Sequence, residues 1–454
     1  MNQIVFIAMF LGFGIFLLIV GLVESRKVNT VLDYFLAGRT INVIPITLTL
    51  LATQIGSGML LGTAEESYNI GYYGIMYSLG IALGFLILAL GLASKMRSLH
   101  IVTTSEVFEK KYHSPTLNKI ASIFSAITLL GIVIGQIIAS RLFLHSIGIH
   151  NELIIILFWL IILTYTTIGG LKSVIFTDAF QIVLVIGAFS ILFIYMLQLE
   201  PASIFSMQSL IERQQAFYYE GTKLTSFANI ILMPALFTLI GQDVAQRFFA
   251  CRTNATAKLA SLLASLVLVL FAIIPIYFGI KARLLGLPPI GNPILQVIKV
   301  LQNNYILMIA SCGIIASIAS TGDSILIAIS SNLHPLFKRN NLNLARLITF
   351  ISGIIGFVAS YFMPGNVIKI LIESYSISVS CLFVSIMIGY FKDNLNKNAA
   401  ISSIMFGAAS LILFSFYPIA IPKEIAALFL SFIGYFIGDR FKVKQTIETN
   451  SKPS

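Results

Sequence analysis

The sequence is poor in charge: Asp, Glu, Lys and Arg make up 10% of its 454 residues. A soluble chain of this length would need roughly a quarter of its residues charged to cover its surface. Its five histidines (100, 113, 145, 150 and 334) form no cluster. Its three cysteines, Cys251, Cys312 and Cys381, have no metal-ligand spacing and read as small apolar residues in helices. There is no nucleotide-binding loop and no catalytic-triad spacing, so an enzyme is not expected. The single tryptophan, Trp159, lies in the middle of an apolar run and is expected to face lipid.

What the chain has is apolar length. Hydrophobic residues make up 57%, and mean hydropathy is +0.94. Runs of roughly 18 to 25 residues recur from end to end, each able to cross about 30 Å of hydrocarbon as a helix. This predicts an all-α polytopic membrane protein; a barrel would show short strands of alternating polarity. Thirteen spans are expected, near 4–23, 41–64, 72–94, 119–145, 152–168, 175–197, 225–245, 259–280, 304–330, 345–363, 366–391, 398–416 and 425–439. The first lacks a basic leader and a small-residue cleavage site, so it reads as a retained helix. The longest loop, about 198–224, is expected to carry one surface helix, "PASIFSMQSLIERQQAF".

The net charge of +11 reports orientation and requires no nucleic acid. With the N-terminus outside, alternate loops and the tail gather roughly 21 of the 29 basic residues on one side, Arg247 among them, and that side is the cytoplasm. Thirteen spans then put the C-terminus inside. Residues 442–454 form a short cytoplasmic tail, and the expected location is the plasma (inner) membrane.

Two spans contain helix breakers. The second runs through Ala52-Thr53-Gln54-Ile55-Gly56-Ser57-Gly58, two glycines beside three polar side chains at mid-depth. Each glycine weakens a helix by about 1 kcal/mol relative to alanine. Unwound backbone is tolerable in a membrane only where it lines a cavity or is buried in protein. Tight packing through small residues would use the same composition; composition alone leaves both open. The seventh span carries Pro234 and Gly241. The two are five spans apart, the spacing at which an inverted repeat of five helices would place them together at a midplane site.

The ninth span contains "IASIASTGDSILIAISS", residues 315–331. Ser317, Ser320, Thr321 and Ser324 follow i, i+3, i+4, i+7 spacing, so they stack on one face. Single hydroxyls in membrane helices commonly bond back to their own carbonyls. A whole face of them, beside the intramembrane acid Asp323, points instead to a hard cation, with broken-helix carbonyls completing its shell.

"DYFLAGR" (33–39), "GGLKSVIFTDAFQ" (169–181), "QRFFACRTNATAKLAS" (246–261) and "IASTGDSILIAISS" (318–331) resemble the sodium:solute symporter family over nearly the whole chain. "GTAEESYNIGYYG" (62–74) and "MRSLHIVTTSEVFEKKY" (96–112) look most like its choline-transporter branch, with proline and pantothenate symporters also similar. The resemblance implies a leucine-transporter-like core of two inverted five-helix repeats, residues 41–391. An N-terminal helix and loop (1–40) precede it and extra helices (392–441) follow. It implies sodium as the coupling ion, held by the carbonyls of Ala52, Ile55 and Ser317 and the hydroxyls of Ser320 and Thr321. It also implies an ion-exit role for Asp178; Asp323 joins it as an ion-path candidate.

These features predict a sodium-coupled symporter that imports a small polar organic solute by alternating access. Thr53, Gln54, Ser57, Gly241 and Gln242 are the expected solute contacts. Gln54 stands where the choline branch has an aromatic ring, so an amino-acid-like zwitterion is favoured over choline, although Tyr72 or Tyr73 could rebuild part of a cage. The alternatives are a choline or quaternary-amine symporter, or a transporter-like sensor acting through a separate partner. Solute, sodium ion and lipid bilayer are the expected partners.

Overall fold

The computed structural model describes residues 3–199, 224–288, 291–337, 341–363, 365 and 367–441. The surface helix expected within 198–224 lies outside the described residues, as does the tail. Among the described residues the regular structure is helical, and the one bridge between extended residues joins Ile41 to Cys251.

In chain order the helices are α1 (Gln3–Ser25), α2 (Val31–Leu36), α3 (Val43–Gln54), α4 (Thr63–Ile70), α5 (Ile75–Ile87), α6 (Ala93–Ser98), α7 (Glu106–Tyr112), α8 (Pro115–Ser146) and α9 (Glu152–Gln198). There follow α10 (Leu224–Ile240), α11 (Gln242–Ala250), α12 (Asn254–Leu284), α13 (Pro293–Val300), α14 (Asn304–Leu333), α15 (Leu342–Ala359), α16 (Val367–Phe391), α17 (Lys397–Phe416) and α18 (Lys423–Arg440). Local chemistry sets where they begin. Ser114, Asn151, Thr253, Asn303, Asn341 and Asn396 each accept a free first-turn N–H of α8, α9, α12, α14, α15 and α17. Pro115, in the first turn of α8, has no N–H to leave unpaired.

Ten of the described helical stretches are long and apolar enough to cross a membrane. One of them, α9, has 47 residues. At 1.5 Å per residue it would be about 70 Å long, over twice the hydrocarbon thickness. It therefore holds two spans, and they meet at Gly170, whose φ of 60° and ψ of −160° leave the helix. A side chain there would run into the Tyr34 ring and carbonyl, so glycine is required twice over. The sequence placed a gap at 169–174; the break is one residue wide.

The second and seventh spans are interrupted as expected. α3 ends at Gln54, Ile55 turns out of the helix (φ −81°, ψ 58°), and a wide π-turn, Gly58–Gly62, leads into α4. α10 stops at Ile240 and α11 begins at Gln242, hinged on Gly241 (ψ 129°). Pro234 does not break the chain's course; its carbonyl accepts the Thr238 hydroxyl at 2.8 Å.

α14 is the axis of the molecule, buried along nearly its whole length and packed against α8, α9 and α3. α1 lies along α9, and α17 and α18 form a hairpin against α16. Two expectations are corrected here. Trp159 does not face lipid: it is 2% exposed, and its Nε1 donates to Ser140 Oγ on α8 at 3.0 Å. An indole N–H in hydrocarbon needs such a partner, which an apolar run gives no hint of. Arg247 is no loop cation; it lies in α11, fully buried.

Candidate ion and solute site

The break in the second span leaves the last carbonyls of α3 without helical partners, and they turn toward α14. Ser317 Oγ donates to Ile55 O at 2.5 Å, and Ser320 Oγ to Ala52 O at 2.9 Å. Thr321 Oγ1 lies 3.0 Å from Thr53 O and 3.4 Å from Ala52 O. Ser317 O accepts from both Ser320 and Thr321, at 3.1 and 3.2 Å. All five residues expected to hold the ion are thus brought together. The set is all oxygen, neutral and small, as a hard monovalent cation requires. Both the carbonyl and the hydroxyl of Ser317 face this knot; the sequence reading gave it a carbonyl alone.

Close approach of the helices depends on Gly56. A Cβ there would stand 2.3 Å from Thr321 Oγ1. On the other side of the break Gln136 of α8 accepts the Ser57 N–H at 3.1 Å, satisfying backbone that the π-turn leaves free.

One turn along α14 lies a second polar cluster. Thr53 Oγ1 donates to Ser324 Oγ at 3.0 Å, and Ser324 and Thr49 both donate to Asp178 Oδ2, at 3.3 and 2.5 Å. Arg247 reaches in from α11: Nη2 donates to Ser324 Oγ at 2.5 Å and lies 3.9 Å from Asp178, while Nη1 donates to Asp243 O at 2.8 Å. Asp178 and Arg247 are both fully buried, where each charge depends on the other. Asp178 is therefore buried among helices one turn from the sodium candidates. Ser324, grouped with the ion face by its spacing, belongs to this cluster. Asp323 turns the other way and accepts the Tyr165 hydroxyl at 2.5 Å.

Beyond the oxygen knot a narrow cleft, with room for little more than a water, is lined by Thr53, Gln54, Gln136, Asp243, Thr321 and three aromatic rings. The rings are Tyr77, Phe237 and Tyr375: Phe237 stacks on Tyr375 with centroids 4.5 Å apart, and the two tyrosine hydroxyls are 3.0 Å apart. Of the expected solute contacts, Thr53 and Gln54 line it. Gly241 shapes it by hinging α10 from α11. Ser57 sits beside it through its backbone. Gln242 is elsewhere: its amide bonds Thr104 N, Val102 O and Ser331 Oγ. The rings are not Tyr72 or Tyr73, which lie at the far end of α4. A larger, open cavity, lined by Leu61, Glu65, Tyr68 and Asn292 among others, holds none of the expected residues and runs along α4.

Sequence reasoning missed Thr49, Asp243 and Arg247. The signal was available in "QDVAQR": an acid and a base one helical turn apart inside a membrane span are costly and usually functional.

The sodium:solute symporter family matches residues 34–407. Sodium/glucose cotransporter 4 of Danio rerio is 32% identical over 198 residues, which is 41% of this chain and 29% of that protein's length. Among solved structures, a Na+-coupled sialic acid symporter in a substrate-bound outward-open state superposes with a TM-score of 0.79 at 20% identity, covering 96% of this chain and 97% of the other. MhsT in complex with L-phenylalanine gives 0.57 at 15% identity (88% and 98% covered). The nucleobase-cation-symport-1 family transporter Mhp1 gives 0.59 at 13% (89% and 92% covered). At these identities the likeness establishes the fold, a leucine-transporter-like helical core in an integral, multi-pass membrane protein. With its family match running from α2 through α17, the chain belongs to the sodium:solute symporter family, whose coupling ion is sodium.

Proposed function

We propose that this protein is a sodium-coupled secondary transporter that carries a small polar organic solute inward by alternating access. The observation that carries the reading is the meeting of the α3 end carbonyls with the Ser317, Ser320 and Thr321 oxygens of α14. Ala52, Ile55, Ser317, Ser320 and Thr321 are the proposed sodium ligands. Each hydroxyl that donates to a carbonyl would swing its proton aside and offer a lone pair to the ion. Sodium then bridges two helices that otherwise hold each other by a few hydrogen bonds.

Thr53 links the events. Its carbonyl faces Thr321, its hydroxyl bonds Ser324, and the residue lines the aromatic cavity. Fixing the break with sodium orders one wall of that cavity, so the ion raises solute affinity, and by reciprocity the solute raises sodium affinity. Asp178, one turn away, is the proposed next station for the ion, with Arg247 holding its charge in check; Asp323, turned to Tyr165, has a weaker claim. Residues 41–391 form the transporting core in this reading, and the N-terminus lies outside and the C-terminus in the cytoplasm of the plasma membrane. A membrane potential then drives sodium inward with about 2.3 kcal/mol per charge per 100 mV.

Thr53, Gln54 and the aromatic rings are the proposed solute wall, with Ser57 and Gly241 shaping its backbone; Gln242 is left out. An amino-acid-like zwitterion fits through its ammonium end. The test is uptake into proteoliposomes of labelled amines, amino acids, sugars and carboxylates, with and without a sodium gradient. Sodium-dependent, saturable accumulation of at least one supports the proposal; conduction or facilitated entry indifferent to sodium overturns it.

A further inference from the structure

The cavity's aromatic wall contains one charged side chain, Asp243, and the surroundings of its carboxylate are unusual. It is 3% exposed. Oδ2 accepts Gln54 Nε2 at 3.3 Å, and Oδ1 has no hydrogen-bond partner. Among the described residues no lysine, arginine or histidine nitrogen lies within 4.0 Å of it. The nearby guanidinium of Arg247 is engaged with Ser324 and with the Asp243 main-chain carbonyl, and its ion-pair partner is Asp178. An acid buried without a cation is costly unless its partner arrives from outside.

Position adds to this. Asp243 is the second residue of α11, where unpaired first-turn N–H groups offset part of the cost of burying its charge. The Phe237 ring and the Tyr375 ring stacked on it line the same cavity, with the Tyr77 hydroxyl bonded to that of Tyr375. Ring faces attract cations and pack alkyl groups. Gln54 Nε2 turns one of its N–H groups to Asp243.

We propose that the solute carries a protonated amine with at least one N–H, which donates to Asp243 Oδ1 while its carbon substituents pack on Phe237 and Tyr375. This rests on the cavity being the solute site. It assigns the class of ligand: a primary, secondary or tertiary ammonium, alone or as the ammonium end of a zwitterion. Permanently quaternised amines are poor ligands because they have no N–H to give. Carboxylates and other anions are disfavoured at this end of the cavity by the buried Asp243 carboxylate.

The experiment uses the purified full chain in sodium buffer, with melting temperature as readout. The probes, at up to about 10 mM, are matched sets sharing one carbon skeleton: the primary amine, its trimethylated form, the neutral alcohol, the carboxylate and the amino acid. The proposal expects saturable stabilisation by the amine or the amino acid. It expects affinity about tenfold or more weaker for the quaternary form, and a similar loss of amine affinity in Asp243→Asn. Retained sodium-dependent change in Trp159 fluorescence shows that the variant is folded. No stabilisation by any amine, equal binding of amine and quaternary form, or amine binding unchanged by Asp243→Asn each overturns it. Phe237→Leu separates the two readings. If a neutral or anionic probe binds and Phe237→Leu weakens it, the cavity is the solute site and the amine assignment alone is wrong. If the ligand found is indifferent to both substitutions, the cavity itself is not the site.

Discussion

Replacing Gly56 with alanine would put a methyl group where the broken helix touches α14. The new Cβ would stand 2.3 Å from Thr321 Oγ1, 2.9 Å from Thr321 Cβ and 3.1 Å from Cγ2. Uncharged heavy atoms pack at about 3.5 Å or more, so the helices must part by roughly 1 Å. That would stretch the 3.0 Å contact from Thr321 to Thr53 O beyond hydrogen-bond range and spread the proposed ligand set. Overpacking of this kind costs about 1–3 kcal/mol. Borne by the sodium-loaded state, it raises the half-saturating sodium concentration about 5- to 160-fold. Trp159 provides the assay. It is the chain's one tryptophan, and its ring edge lies 2.8 Å from where a Cβ at Gly322, the residue after Thr321, would be. Titrating sodium against its fluorescence needs no knowledge of the solute. Gly187→Ala is the control, since nothing lies within 4 Å of the added methyl. A Gly56→Ala protein that titrates at the wild-type sodium concentration would refute the placement of the ion.

Three further outcomes are expected. Arg247→Met leaves Asp178 buried with no cation beside it, so the protein should lose about 3–5 kcal/mol and melt well below wild type; an unchanged melting temperature would show that the pair contributes little. A cysteine at position 450 should react with impermeant maleimide only from the cytoplasmic side; labelling from outside alone reverses the topology. Choline should not be the principal substrate, because the cavity offers an acceptor that a quaternary nitrogen cannot use; micromolar, sodium-dependent choline uptake uncompeted by amines or amino acids would contradict this.

The spans were legible because crossing a bilayer demands apolar length, and two candidate breaks because Gly56, Gly58, Pro234 and Gly241 marked them, although Gly80, Gly84, Gly313 and Gly322 lie within intact helices and composition alone does not decide. The oxygen face of α14 was legible from spacing, and its partners at 52 and 55 from resemblance. The facing of an apolar span was not. Nothing in the run around Trp159 says that Ser140 waits on another helix. Arg247 looked like a loop charge because Arg252 and Lys258 follow it, and its burial depends on Asp178, 69 residues earlier in sequence. Gln242 and Asp243 are neighbours, yet one turns toward residues 102–104 and the other lines the cavity. A hinge at Gly241 sets that direction, and hinge angles are written in tertiary packing.

Direct binding of radioactive sodium to the purified protein, without solute, tests the central claim most closely. Wild type should bind saturably. Ser320→Ala and Thr321→Ala each remove one proposed ligand and should bind about tenfold or more weakly. Ser330→Ala removes a hydroxyl of the same helix that donates to Ala345 O and should bind as wild type does. Wild-type sodium binding by the Ser320→Ala, Thr321→Ala double variant would contradict the account.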